Sequence, residues 1–146
     1  MTAAPTLADP LLLLERLVMG AVSVTARAAA EGAHEPSLLQ LRVLVVLADA
    51  PGGATVTELA TRIGSRLPAT SRLVGRMRRR GLVETRKDHP DARVTAVLLA
   101  PGGRELWARV VAGRRAELVS VLAAADFTPA DLSALERLAV AMGRYL

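Results

Sequence analysis

The sequence predicts a mainly α-helical chain of six helices with one small β-hairpin between the fourth and fifth, in a single domain of 146 residues. Three observations carry that expectation. Apolar residues recur at helical spacing between cap signals over most of the length, the period becomes strand-like only after Gly81, and positive charge gathers where the period changes.

The elements follow in order. Asp9 before Pro10 reads as an N-cap with proline in the first turn, opening a long helix that runs to about Glu31 and stops at Gly32. Ser37 and Gln40 have capping-box spacing, and Leu38, Leu41, Val45 and Leu47 continue at helical intervals up to the break Ala50-Pro51-Gly52-Gly53. Thr55 and Glu58 form a second capping box, starting a short helix through Ile63 to Gly64. Pro68 starts the next, which ends at Gly81. Residues 82–87 suit a strand, 88–93 form a polar, turn-rich tip, and 94–99 are β-branched and apolar, so a hairpin follows the helix. Pro101 begins another long helix to about Ala125, and Thr128 with Asp131 caps a last one through Arg144.

The net charge of +5 is unevenly distributed. Between Arg62 and Arg93 stand ten Lys/Arg against Glu84, Asp88 and Asp91, a local balance of +7 that leaves −2 for the rest. Such asymmetry inside one domain is the footprint of a polyanion-binding face. At 100° per residue Arg72, Arg76 and Arg79 fall within about 60° of one another, with Thr70, Leu73, Val74 and Met77 on the opposite side. Gly75 lies beside the arginine row and keeps it clear of a further side chain.

The preceding helix offers Leu59, Ala60 and Ile63 for packing across the bend at Gly64-Ser65. Two short helices joined by a glycine-containing turn, the second basic on its outer face, describe a helix-turn-helix. In that geometry Arg66, Ala69, Ser71, Arg72 and Arg76 are placed to reach bases or adjacent phosphates, because the leading part of the second helix enters the major groove. Arg78, Arg79 and Arg80 suit phosphate contacts, and Arg86 extends the basic strip along the hairpin. At the hairpin tip Asp91, two residues before Arg93, can orient its guanidinium toward a minor groove.

Other functional classes find little support. Cysteine is absent, which removes disulfides and thiolate metal sites. Lys87 follows no glycine-rich loop, and neither His34 nor His89 has a second histidine at ligand spacing, so no catalytic role, cofactor or metal is expected. The cluster Asp88-His89-Pro90-Asp91 reads as a solvated tip. No apolar run reaches the roughly 18 residues of a membrane span and the N-terminus lacks a basic signal start, so the expected location is cytoplasmic.

The run ATSRLVGRMRRRGLVETRKDHPDARVTAVLLAPGG at 69–103, preceded by LQLRVLVVLADAPGGATVTELATRIG at 39–64, resembles the MarR family of bacterial transcriptional regulators. The resemblance implies a winged helix-turn-helix lobe over 37–100, with helices at 7–31 and 101–146 intertwining two copies into a homodimer on double-stranded DNA with a pseudo-palindromic operator. It matches Ser71, Arg72 and Arg76 to DNA-contacting positions, and Arg93 with Asp91 to the wing arginine and its carboxylate partner.

It also implies a small-molecule effector cleft drawing on Met19, Ser23, Arg27, His34, Arg42 and Trp107, although Met19 and Trp107 read as core by composition alone. Leu67 and Ala100 depart from the family pattern where polar caps are common, weakening each helix start by roughly 1 kcal/mol. The competing reading is a winged-helix module that binds protein rather than DNA.

Overall fold

The computed structural model describes residues 10–30, 36–87 and 95–143. Among them are six helices and two strands: α1 (Pro10–Ala30), α2 (Leu38–Ala48), α3 (Val56–Arg62), α4 (Leu67–Arg79), β1 (Val83–Arg86), β2 (Ala96–Leu99), α5 (Pro101–Ala124) and α6 (Pro129–Met142). The order and kinds of element are those the sequence predicts. The expected cap Asp9, the helix stop at Gly32, the strand residue Val94 and the helix end Arg144 lie outside the described residues.

Three capping boxes start helices as their spacing requires. Ser37 accepts from the Gln40 amide while the Gln40 side chain accepts from the Ser37 amide, and Thr55 with Glu58 and Thr128 with Asp131 repeat the pattern. The Asp131 carboxylate accepts from the Thr128 hydroxyl at 2.6 Å and its amide at 2.9 Å. Both bonds favour the ionised form and hold its pKa below the ordinary carboxylate value.

The two helices of the predicted helix-turn-helix end alike. After α3, Gly64 at φ +65° lets the Ser65 amide donate to the Ala60 carbonyl (2.9 Å) and its own amide to Thr61 (3.2 Å). After α4, Gly81 at φ +68° lets the Leu82 amide donate to Met77 (3.0 Å) and its own to Arg78 (3.0 Å). These are paired Schellman closures, in which a left-handed residue turns the chain and satisfies the last carbonyls. The Arg42 guanidinium of α2 also donates to the Arg62 carbonyl at the end of α3 (3.0 Å), fastening one helix to the next.

β1 and β2 pair antiparallel from Val83 opposite Leu99 to Arg86 opposite Ala96. Ala54, in the loop before α3, exchanges both backbone hydrogen bonds with Val97 (3.0 and 2.8 Å), so the root of the hairpin is tied to the front of the helix-turn-helix. The core lies beneath: Val43, Leu44, Leu59, Met77, Val83, Val97 and Val110 are fully enclosed, drawing α2, α3, α4, the hairpin and α5 onto one centre.

The hairpin returns directly into α5, and the return is unusually close. The Ala100 amide donates to the Leu82 carbonyl (3.1 Å), and the first turn of α5 lies on the backbone of Gly81 and Leu82. A Cβ on Gly102 would stand 2.8 Å from the Gly81 carbonyl oxygen, and one on Gly103 would run into that of Leu82. As expected from the sequence, Ala100 gives this helix no side-chain cap. The Arg104 guanidinium instead folds back onto the Leu99 carbonyl (2.5 Å).

The outer helices are packed differently. α1 lies along α5 and buries Val24, Ala28 and Ala29, with an exposed ion pair between Arg27 and Glu117 (3.0 Å) that contributes at most about 1 kcal/mol. No residue of α6 is buried.

The joint between the hairpin and α5 yields a stability prediction. Gly103→Ala is expected to cost about 3 kcal/mol or more, because the added methyl meets an immobile carbonyl rather than a side chain that can turn aside. Gly52→Ala, where no atom lies within 4 Å, is expected to change stability by less than about 1 kcal/mol. Urea midpoints of the two variants against the parent protein measure both.

Candidate nucleic-acid interface

The site is built on α4. Thr70, Leu73, Val74 and Met77 are buried against the core, and the Thr70 hydroxyl satisfies itself on the Arg66 carbonyl (3.1 Å). Ser71, Arg72 and Arg76 are exposed, as are Arg66 before the helix and Arg78, Arg79 and Arg80 at its end. Ala69 is half-buried at the edge of this face. The predicted division of the helix into a core face and a cationic face is therefore the arrangement found.

Gly75 lies next to the arginine row, and a Cβ there would touch only the Arg79 guanidinium, at 3.8 Å. Among the described residues no ion pair engages Arg66, Arg72, Arg76 or Arg79. Unpaired guanidiniums clustered on a solvent-facing helix create a positive field that a polyanion relieves, and their forked donors match phosphate oxygens and the O6/N7 edge of guanine.

The start of α4 corrects one detail. The N-cap is Arg66, at φ −78° and ψ 142°, and Leu67 is already the first helical residue. A proline is tolerated at either of the first two helical positions, so Pro68 alone did not fix the boundary. Arg66 supplies no capping acceptor, and the first amides of α4 have no side-chain partner.

Arg86 is exposed on β1, on the strand that leads from the end of α4 toward the hairpin tip. Asp91 and Arg93, and the rest of the Asp88–Asp91 cluster, lie outside the described residues. Among the described residues no three His, Cys, Asp or Glu side chains gather as a metal site would require, and no helix is long and apolar enough to cross a membrane.

The effector candidates are scattered among different tasks. Met19 is 63% exposed on α1, contrary to its reading as core, because it does not lie on the face that α1 turns toward α5 and α6. Trp107 does pack against the core, and the Arg114 guanidinium lies 5.5 Å from its ring centroid. The Ser23 hydroxyl donates to the Met19 carbonyl (2.9 Å), Arg27 pairs with Glu117, and Arg42 donates to Arg62. His34 lies outside the described residues.

An apolar groove of about 430 Å³ between α1, α5 and α6 is lined by other residues, Leu17, Val24, Leu118 and Leu138 among them. The Arg114 stack was missed in the sequence. Its only trace is the seven-residue spacing from Trp107, two helical turns that put both on one face.

Residues 35–94 match the model of the MarR family. Among curated proteins none matches this sequence. The fold is similar to that of RV1404 from Mycobacterium tuberculosis, 27% identical, over 98% of this chain and 96% of that one at a TM-score of 0.76. It is similar to a MarR family protein from Bacillus stearothermophilus, 23% identical, over 99% and 97% of the two chains at 0.78. It is similar also to a MepR mutant from S. aureus bound to an oligodeoxyribonucleotide, 15% identical, over 92% and 95% at 0.63. The family's sequence pattern thus spans the helix-turn-helix and the first strand of the hairpin, and the fold from α1 through α6 is similar to that of a solved MarR family protein.

Proposed function

We propose that the protein is a sequence-specific repressor that binds a pseudo-palindromic operator in double-stranded DNA as a homodimer. The observation that carries this reading is the exposed guanidinium row Arg72, Arg76 and Arg79 on a helix whose other face is locked into the core. A rigid cationic helix of this kind fits a major groove, with Arg72 and Arg76 toward base edges and Arg79 toward phosphate. That a protein of the same fold is bound to an oligodeoxyribonucleotide supports it. Repression follows from occupancy: a dimer seated on a promoter excludes other proteins from the same grooves.

The second copy is suggested by the surface of the outer helices. Leu12, Leu13, Leu17 and Val18 on α1, Leu118, Val121 and Leu122 on α5, and Leu132, Val140 and Met142 on α6 are all exposed in the single chain. An apolar surface spread over three helices exceeds what soluble monomers commonly leave in water. A two-fold partner offering the same surface would cover it and set two copies of α4 about one turn of DNA apart. We extend the reading to release by a small, modestly polar effector held by residues among Met19, Ser23, Arg27, His34, Arg42 and Trp107.

Selection of random duplexes at physiological salt is expected to enrich an inverted repeat. Against that site, Arg72→Ala and Arg76→Ala should each cost on the order of 1 to 3 kcal/mol and relax base preference, whereas Arg79→Ala should reduce the salt slope by about one. Undiminished affinity in the Arg72, Arg76 double variant would instead favour a protein-binding module. Light scattering at micromolar concentration should return twice the mass of one chain, and a monomer mass would remove the two-fold arrangement. Titration calorimetry with phenolic and acidic metabolites should show heat and a matching loss of DNA affinity for at least one compound, while a silent panel would leave protein abundance as the control.

A further inference from the structure

The leading end of α4 is not cationic. Its first three residues are Leu67, Pro68 and Ala69, and Leu67 is 48% exposed although the core of the same lobe lies one turn away. Pro68 is exposed as well. On a helical projection Pro68 heads the outward row that continues through Arg72, Gly75 and Arg79, with Leu67 on its flank beside Ser71. The apolar pair thus stands at the front of the basic face.

Neither residue belongs to the core cluster of the described chain. Leu67 is half exposed, and the first turn of α4 has no side-chain cap. Because the Cα–Cβ bonds of a helix lean toward its N-terminus, a side chain in the first turn projects off the end of the helix. The surroundings decide what meets it. Arg66, Arg72 and Arg76 are exposed around this end without an ion pair among the described residues, so the complementary surface is a polyanion rather than an apolar protein.

The residues at the start of such a helix are the ones that reach base edges in the major groove. There the base edges display donors and acceptors, and the apolar feature among them is the C5-methyl of thymine. We propose that Leu67, backed by the ring of Pro68, is a specificity-determining residue that packs on a thymine methyl, so that each operator half-site carries a required thymine. This rests on the DNA-reading function proposed above and adds to it a base that the arginines cannot select, since a guanidinium fork finds its match on guanine.

Deoxyuridine tests the contact directly, because it pairs as thymidine does and lacks only the methyl. In the duplex enriched by the full-length protein, thymines are replaced one at a time by deoxyuridine, and affinity is measured for the parent protein and for Leu67→Ala. One thymine per half-site is expected to show a loss of about three- to five-fold, the factor that corresponds to one buried methyl group. That loss should disappear in Leu67→Ala, whose thermal midpoint and salt slope should match the parent because the side chain is exposed and uncharged. Specific binding in which no thymine responds to deoxyuridine overturns the proposal. So does a response that persists unchanged in Leu67→Ala, which would assign the methyl to another side chain. Failure of the parent protein to enrich any duplex would bring down the DNA-reading function itself, and this contact with it.

Discussion

Where the carbonyls of Gly81 and Leu82 lie against Gly102 and Gly103, two stretches of backbone meet with no side chain between them. The rest of the molecule depends on that contact. On one side the Schellman closure of α4 hands the chain to β1, and on the other β2 hands it to α5. Side chains at an ordinary interface can change rotamer to absorb a small displacement, whereas backbone such as the Leu82 carbonyl, held by the Ala100 amide, cannot. The direction of the cationic helix is therefore tied to that of α5. A rotation of α5 would press on the backbone at the end of α4.

The second constraint is electrostatic. Seven arginines between Arg62 and Arg80 occupy a segment that also has to bury Leu73, Val74 and Met77. The helix meets both demands by splitting its circumference, and the guanidiniums stay in water, where they incur little desolvation cost. Their mutual repulsion is left in the free protein, since no described carboxylate pairs with the central three. Repulsion of that kind is relieved by an external anion and weakened by salt, so the free energy that the lone chain forgoes is available at the surface it meets.

Local chemistry was the most legible part of the sequence. Ser37 with Gln40, Thr55 with Glu58 and Thr128 with Asp131 announce helix starts because a capping box needs only four consecutive residues, and Gly64 and Gly81 announce helix ends because few other residues turn left-handed cheaply. The two faces of α4 were legible for the same reason, through a period that sequence alone contains. Interactions across the fold left no such signal. The bond from the Arg42 guanidinium to the end of α3, twenty residues on, has no trace in the local sequence. Met19 looked like core because an apolar stripe states that a face wants cover without stating what covers it. The boundary at Arg66 shifted by one residue because proline fits two positions in the first turn.

The bare surface of α6 bears on how much of the protein is folded at a given moment. A helix of 14 residues is marginal in water on capping and propensity alone, and none of its side chains is buried by its own chain. Its helicity is then a linked equilibrium, set by whatever covers it and by how concentrated that cover is. Covered by a second copy, α6 would fray in dilute protein and consolidate as the pool grows. The amount of protein present would then govern both how many molecules there are and how ordered the end of each one is.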